Sequence, residues 1–177
     1  MKKMNIRQMT LVSLFAALTA VGAFISIPLY PVPITLQNLF TLLAGMTLGS
    51  VLGGSSQIIY VLLGIIGLPV FAGFKAGIGV LFGPTGGFLF GFIISSYIIG
   101  KIIELKKEKD IFYYFLAGGL GIVIIYIIGI AQLSLVTGMG IKKTLMVGVL
   151  PFLPGDILKI IAASFIASKL KLVIPLR

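Results

Sequence analysis

The sequence predicts an all-α integral membrane protein with six transmembrane helices, some of them short or broken, and irregular external loops over a ligand pocket. Hydrophobic residues make up 59% of the 177 residues and charged residues only 10%, which is more apolar than a soluble core of this length can hide. The apolar residues fall into six runs, separated by loops rich in proline, glycine or charge. We expect one membrane domain over residues 1–177 and no soluble domain.

The composition also excludes several functional classes. The chain has no cysteine and no histidine, which removes disulfides, thiol nucleophiles and the common transition-metal ligands. With a single acid outside the charged segment 104–110, general acid–base catalysis has almost no side chains to use. The net charge of +10 would suggest nucleic-acid binding in a soluble chain, but the basic residues lie in tails and loops between apolar runs. We therefore predict a non-enzymatic membrane protein without metal or cofactor.

The first apolar run, residues 9–27, is longer than the apolar part of a signal peptide and is predicted to be the first transmembrane helix. Ala16, Ala20 and Ala23 recur along it at helical spacing and form a strip of small side chains. Another helix can approach closely at such a strip. The spacing is equally compatible with packing inside this chain and with docking of a partner protein.

Residues 28–33 contain three prolines and are predicted to form a loop, because proline removes backbone donors and favours extended backbone before it. The second and third spans, residues 34–48 and 55–68, are marginal in length for a hydrocarbon core about 30 Å thick. They are expected to run short or broken around a pocket. Gln37 and Asn38 lie near the start of the second span, where an amide can cap the helix or point into a cavity.

Residues 69–87 contain too much glycine and proline for a stable helix, yet they are too apolar for a solvated linker. A long apolar loop of this kind indicates a lid over a ligand. It lacks the Gly-Lys-Ser/Thr ending of a phosphate-binding loop, so nucleotide binding is not expected. The fourth and fifth spans are predicted at 85–103 and 111–135, and the sixth follows a turn at 138–143 and ends near Lys169.

Asp156 and Lys159 lie three residues apart inside the apolar sixth span, and they therefore share one helix face. An ionisable pair in such a segment indicates a functional site, because each buried charge is costly unless it is satisfied. The alternative is a structural salt bridge between helices, although apolar packing could replace such a pair at little loss.

The distribution of Lys and Arg predicts the orientation. Ten of them fall on one side of an alternating path and three on the other. The larger set is Lys2, Lys3, Arg7, Lys101, Lys106, Lys107, Lys109, Lys169, Lys171 and Arg177, and the smaller set is Lys75, Lys142 and Lys143. Because cytoplasmic loops carry the excess of positive charge, both termini are predicted to be cytoplasmic. The proline-rich loop 28–33, the glycine-rich loop 69–84 and the charged pair then lie in the external half.

Residues 31–37 (PVPITLQ), 83–87 (GPTGG) and 154–159 (PGDILK) together resemble the BioY family, the biotin-binding S components of energy-coupling-factor transporters. The resemblance extends over nearly the whole chain. It implies high-affinity capture of biotin at the outer face of the cell membrane. It also implies assembly with a transmembrane T protein and two cytoplasmic ATPases. The strip at Ala16 and Ala20 is similar to the docking motif for the T protein.

Biotin carries a ureido group with two N–H donors and one acceptor oxygen, which suits a carboxylate and an ammonium one helical turn apart. Asp156 is then expected to accept from a ureido N–H, and Lys159 to donate to the ureido oxygen or to the valerate carboxylate. Lys75 stands where the resemblance implies an amide, and it meets the ligand carboxylate or points to solvent. Three further residues are candidates for the pocket wall: Gln37, Tyr60 and Phe74.

Two other functions remain open at this point. The chain could be an S component for another vitamin, such as riboflavin or thiamine, which competition between vitamins would reveal. It could also be a partner-independent ion or solute permease that uses Asp156 as its carrier group. Such a permease would transport without ATPase subunits and would respond to membrane potential.

Overall fold

Seven helices form a bundle in the computed structural model, which describes residues 4–106 and 110–170. The helices are α1 (Ile6–Phe24), α2 (Gln37–Leu48), α3 (Ser50–Ile65), α4 (Gly86–Leu105), α5 (Ile111–Thr137), α6 (Ile141–Gly148) and α7 (Leu153–Leu170). Two short strands, β1 (Ser26–Ile27) and β2 (Ile34–Thr35), pair antiparallel across the proline-rich loop. The chain is therefore mostly helical, with one small β-hairpin that the sequence did not predict.

The helix α4 lies at the centre of the bundle. It packs along α5 on one side and against α2 and α3 on the other, while α1 covers α2 and α3 and α7 packs against α2 and α5. Glycine permits close contact with α4. A Cβ added at Gly100 of α4 would overlap the backbone of Gly49 and Ser50, so the turn between α2 and α3 can contact α4 directly.

The third helix begins earlier than predicted. It starts at Ser50, not at residue 55, because Gly49 adopts a φ of 81° and turns the chain within a single residue. Glu104, the first residue of the charged segment 104–110, lies in the last turn of α4 and not in a loop. Its carboxylate accepts from the backbone N–H of Ser50 at 2.6 Å and from the Ser50 hydroxyl at 2.8 Å, and so satisfies the start of α3.

The predicted sixth span is two helices. α6 and α7 meet at a bend of 54°, and the prolines at 151 and 154 lie at this break and in the first turn of α7. In the described part of the chain, three helices are long and apolar enough to cross a membrane, or four if the bent pair counts as one span. The 12 residues of α2 extend only about 18 Å. The structure does not confirm six complete spans.

The predicted lid is irregular, as expected, and it is attached to the bundle near both ends. Its Phe71 ring sits against Gly64 of α3, where any side chain would overlap the ring. Near its other end, Gln132 Nε2 of α5 donates to the carbonyls of Leu81 and Gly83, at 2.5 Å and 2.9 Å. A 3₁₀ turn at Ile78–Val80 lies between these attachments.

Six of the basic residues used to predict the orientation lie outside the described residues: Lys2, Lys3, Lys107, Lys109, Lys171 and Arg177.

Candidate ligand-binding site

A cavity opens between the proline-rich loop, the lid and the helices α2, α4, α5 and α7. Its walls are largely aromatic. They include Phe71 of the lid, Phe88 and Phe92 of α4, Tyr126 of α5 and Phe152 at the bend before α7. Phe88 and Phe92 are four residues apart, so helical spacing directs both rings to the same face of α4. Such walls suit a flat or aliphatic ligand body.

Asp156 is the centre of a polar cluster at this cavity, and only 1% of its surface is exposed. Its carboxylate accepts from Lys159 Nζ at 2.7 Å, from the Tyr126 hydroxyl at 2.6 Å and from Asn38 Nδ2 at 3.0 and 3.1 Å. Lys159 is 7% exposed and pairs with this carboxylate alone among the described residues. The predicted pair therefore exists, and its two opposite charges lie in direct contact away from bulk water.

The three donors line the cavity, whereas Asp156 does not. A carboxylate has about four acceptor positions, and those of Asp156 are used by Lys159, Tyr126 and the shared contact from Asn38. Asp156 therefore lies behind the cavity wall, and the side chains that it holds face the cavity. A ligand N–H can bond to it only if one donor turns away.

A second polar cluster joins β2 and the start of α2 to α3 and the lid. The Thr35 hydroxyl donates to Gln37 Oε1 at 2.9 Å, and Gln37 Nε2 donates to the Tyr60 hydroxyl at 2.5 Å. The Tyr60 hydroxyl in turn donates to the Val70 carbonyl at 3.1 Å. Gln37 lines the cavity, but Tyr60 is fully buried and supports the lid from behind.

The two lid candidates differ in position. Lys75 lines the cavity and is exposed, so its ammonium can reach both ligand and solvent. Phe74 is absent from the cavity wall and is 68% exposed. It has a φ of 58°, unusual for a residue with a side chain, and stacks on Phe24 with ring centroids 4.8 Å apart. Phe74 therefore does not line the cavity in this structure, because its ring lies outward against α1.

The strip on α1 is covered by the chain's own helices. Ala16 is 1% exposed and Ala20 is 8% exposed, and between them Thr19 accepts from Gln57 Nε2 of α3 at 3.2 Å. The strip therefore serves internal packing here, one of the two uses that its spacing allowed. It offers no open surface for the predicted docking.

Two residues of the polar cluster were missed as site residues. The sequence predicts for Asn38 only an amide that caps a helix or faces a cavity, and Tyr126 lies in the most apolar helix of the described residues. A tyrosine hydroxyl in such a segment needs a hydrogen-bond partner, so Tyr126 could have been identified from the sequence as a candidate site residue.

In residues 4–106 and 110–170, no group of three or more His, Cys, Asp or Glu could hold a metal ion.

A profile of the BioY family matches residues 1–175. The chain belongs to the BioY family. Among relatives, the biotin transporter BioY of Thermotoga maritima is 48% identical over 166 residues, which cover 93% of this chain and 96% of the relative. The probable biotin transporter BioY of Pyrococcus horikoshii is 44% identical over 168 residues, covering 95% and 98%. The sequence-based assignment to this family is confirmed.

The fold of this BioY-family chain is similar to a crystal structure of the S-component for biotin from an ECF-type ABC transporter. The TM-score is 0.87 at 28% sequence identity, and the match covers 96% of this chain and 95% of the other. The two chains therefore share one fold along almost their whole length.

Proposed function

We propose that this chain is the high-affinity biotin-binding subunit of an ECF-type vitamin uptake transporter, a membrane protein that binds and does not catalyse. Membership of the BioY family carries this proposal, because relatives matched over nearly their full length are biotin transporters. The cavity supports it independently. It combines aromatic walls with a buried ion pair, and biotin combines an apolar bicycle with a polar ureido group.

The ureido group binds at the Asp156 cluster in this proposal. Lys159 Nζ has donors to spare beyond its bond to Asp156, so it can donate to the ureido oxygen. Asp156 itself would accept a ureido N–H only if Asn38, its longest contact, turned away; while Asn38 stays in place, Asp156 acts through the donors that it holds. The bicycle and the alkyl tail pack between the aromatic walls, and Lys75 meets the valerate carboxylate at the cavity mouth.

In the membrane, the chain is proposed to cross six times with both termini in the cytoplasm. The ten-to-three distribution of Lys and Arg supports this orientation. Short helices such as α2 can still contribute to a span, because backbone ends buried in protein or in a cavity are tolerated at membrane depth. The cavity, built from both long loops, then opens to the outside.

Assembly with a transmembrane T protein and two cytoplasmic ATPases follows from the proposed transporter class. A contact through Ala16 and Ala20 would require α1 to separate from the helices that it packs against, α2 and α3, because both alanines are buried within the chain. Ala16→Leu combined with Ala20→Leu is therefore expected to lower the melting temperature, since overpacking costs about 1–3 kcal/mol. Unchanged melting with loss of T-protein co-purification would instead support docking at the strip.

Binding of radiolabelled biotin to the purified protein tests the proposal. We expect saturable binding that excess unlabelled biotin displaces, whereas riboflavin and thiamine do not. Displacement by another vitamin would assign the chain to that vitamin. Uptake by the protein alone in liposomes, driven by membrane potential and without vitamin binding, would favour the permease.

A further inference from the structure

Asn38, in the first turn of α2, has an amide whose orientation is determined by Asp156. Its Nδ2 lies 3.0 and 3.1 Å from the two carboxylate oxygens. An ionised carboxylate only accepts hydrogen bonds, so the NH₂ end must face Asp156 and Oδ1 must point elsewhere. This contact removes the usual ambiguity between the two ends of an amide.

The Oδ1 atom of Asn38 makes no hydrogen bond to any residue in the described part of the chain, and Asn38 lines the cavity. Lys159 lines the same cavity and uses one of its three N–H donors, on Asp156. Asn38 and Lys159 are thus both held by Asp156 Oδ1, at 3.1 and 2.7 Å. Asp156 Oδ1 therefore holds Asn38, which has a free acceptor, next to Lys159, which has free donors.

We propose that Asn38 is a direct specificity residue for the ureido group, accepting one ureido N–H at Oδ1 while Lys159 donates to the ureido oxygen. Asp156 is then a positioning residue that orients both contacts. This arrangement needs no donor to leave Asp156. The inference rests on the proposed binding of biotin, and it extends to cyclic ureas and amides that present N–H and C=O on one edge. Adjacent N–H and C=O groups match the adjacent acceptor and donor.

The test compares biotin with its two cyclic carbamate analogues, in which one ureido N–H is replaced by a ring oxygen of similar size. A site built to bond an N–H rejects the analogue that lacks it. The unchanged protein should bind biotin at least about tenfold more tightly than one of the carbamates. In that complex the ring oxygen of the carbamate faces Asn38 Oδ1, and these two acceptors cannot bond to each other. Asn38→Leu and Asn38→Ala should weaken biotin binding and reduce that ratio to within about threefold.

Tyr126→Phe is the matched control, because it removes another donor from the same carboxylate and leaves Asn38 in place. It should retain the biotin-to-carbamate ratio. The inference fails if the Asn38 variants keep the ratio of the unchanged protein, or if the unchanged protein does not distinguish the carbamates. Those outcomes leave the proposed function intact. Absence of biotin binding to the unchanged protein would instead overturn the proposed function, and the inference with it. The ratio is insensitive to a general loss of folded protein.

Discussion

The substitution Asp156→Asn tests whether the buried pair serves the ligand or only the fold. In the structure, this carboxylate accepts from three donors, and an amide in its place would turn an NH₂ group toward at least one of them. Lys159, which is 7% exposed, would lose its only oppositely charged partner among the described residues. Breaking a buried pair typically costs about 3–5 kcal/mol in stability. Loss of a desolvated charge contact costs about 2–5 kcal/mol in binding, or roughly thirty-fold to several-thousand-fold in affinity.

Lys159→Met makes the complementary change, since it keeps most of the aliphatic stem and deletes the ammonium. Asp156 then retains two described partners, Asn38 and Tyr126. We therefore expect Lys159→Met to destabilise the protein less than Asp156→Asn. The control is Lys106→Met, which breaks an exposed ion pair. Lys106 Nζ lies 4.0 Å from Asp110 Oδ1, and the two side chains are 51% and 65% exposed. Exposed pairs contribute only about 0–1 kcal/mol, so melting should hardly change.

The assays are thermal melting and biotin affinity, measured on both single variants and on the double variant. If the pair serves the ligand, all three lose biotin binding, whatever happens to their melting temperatures. A purely structural salt bridge predicts that the double variant regains both stability and binding. Tight biotin binding by the double variant would therefore refute the assignment of the ureido group to this cluster.

Two further predictions concern the packing of the lid and the topology. Gly64→Ala should destabilise the protein by about 1–3 kcal/mol and weaken ligand binding, because the methyl group displaces Phe71 from the cavity wall. The control is Gly119→Ala, because Gly119 is a helical glycine with open space at its Cβ position. This variant should melt at or above the parent temperature. A cysteine at Lys106 should resist an impermeant thiol reagent in intact cells, and one at Lys142 should react. Equal melting of the two alanine variants, or the reverse labelling, would contradict these expectations.

Much of the fold follows from the sequence because its signals are local. Apolar runs define helices wherever the backbone must bond to itself, and observed helices lie near all six predicted runs. The contact between Asp156 and Lys159 is also local, since residues three apart on a helix share a face. Element boundaries were less accurate. The turn at Gly49 occupies one residue, and a hydropathy window does not resolve so short an interruption.

The membrane class, the approximate positions of the helices, the BioY family and the charged pair could all be predicted from the sequence, because composition, periodicity and motifs are carried by neighbouring residues. The surroundings of that pair depend on tertiary packing. Asn38 and Tyr126 reach Asp156 from 118 and 30 residues away, through the packing of α2 and α5 against α7. The same packing buries the alanine strip of α1, and the lid backbone turns Phe74 outward. Contacts between distant segments depend on how helices pack, which no local pattern specifies.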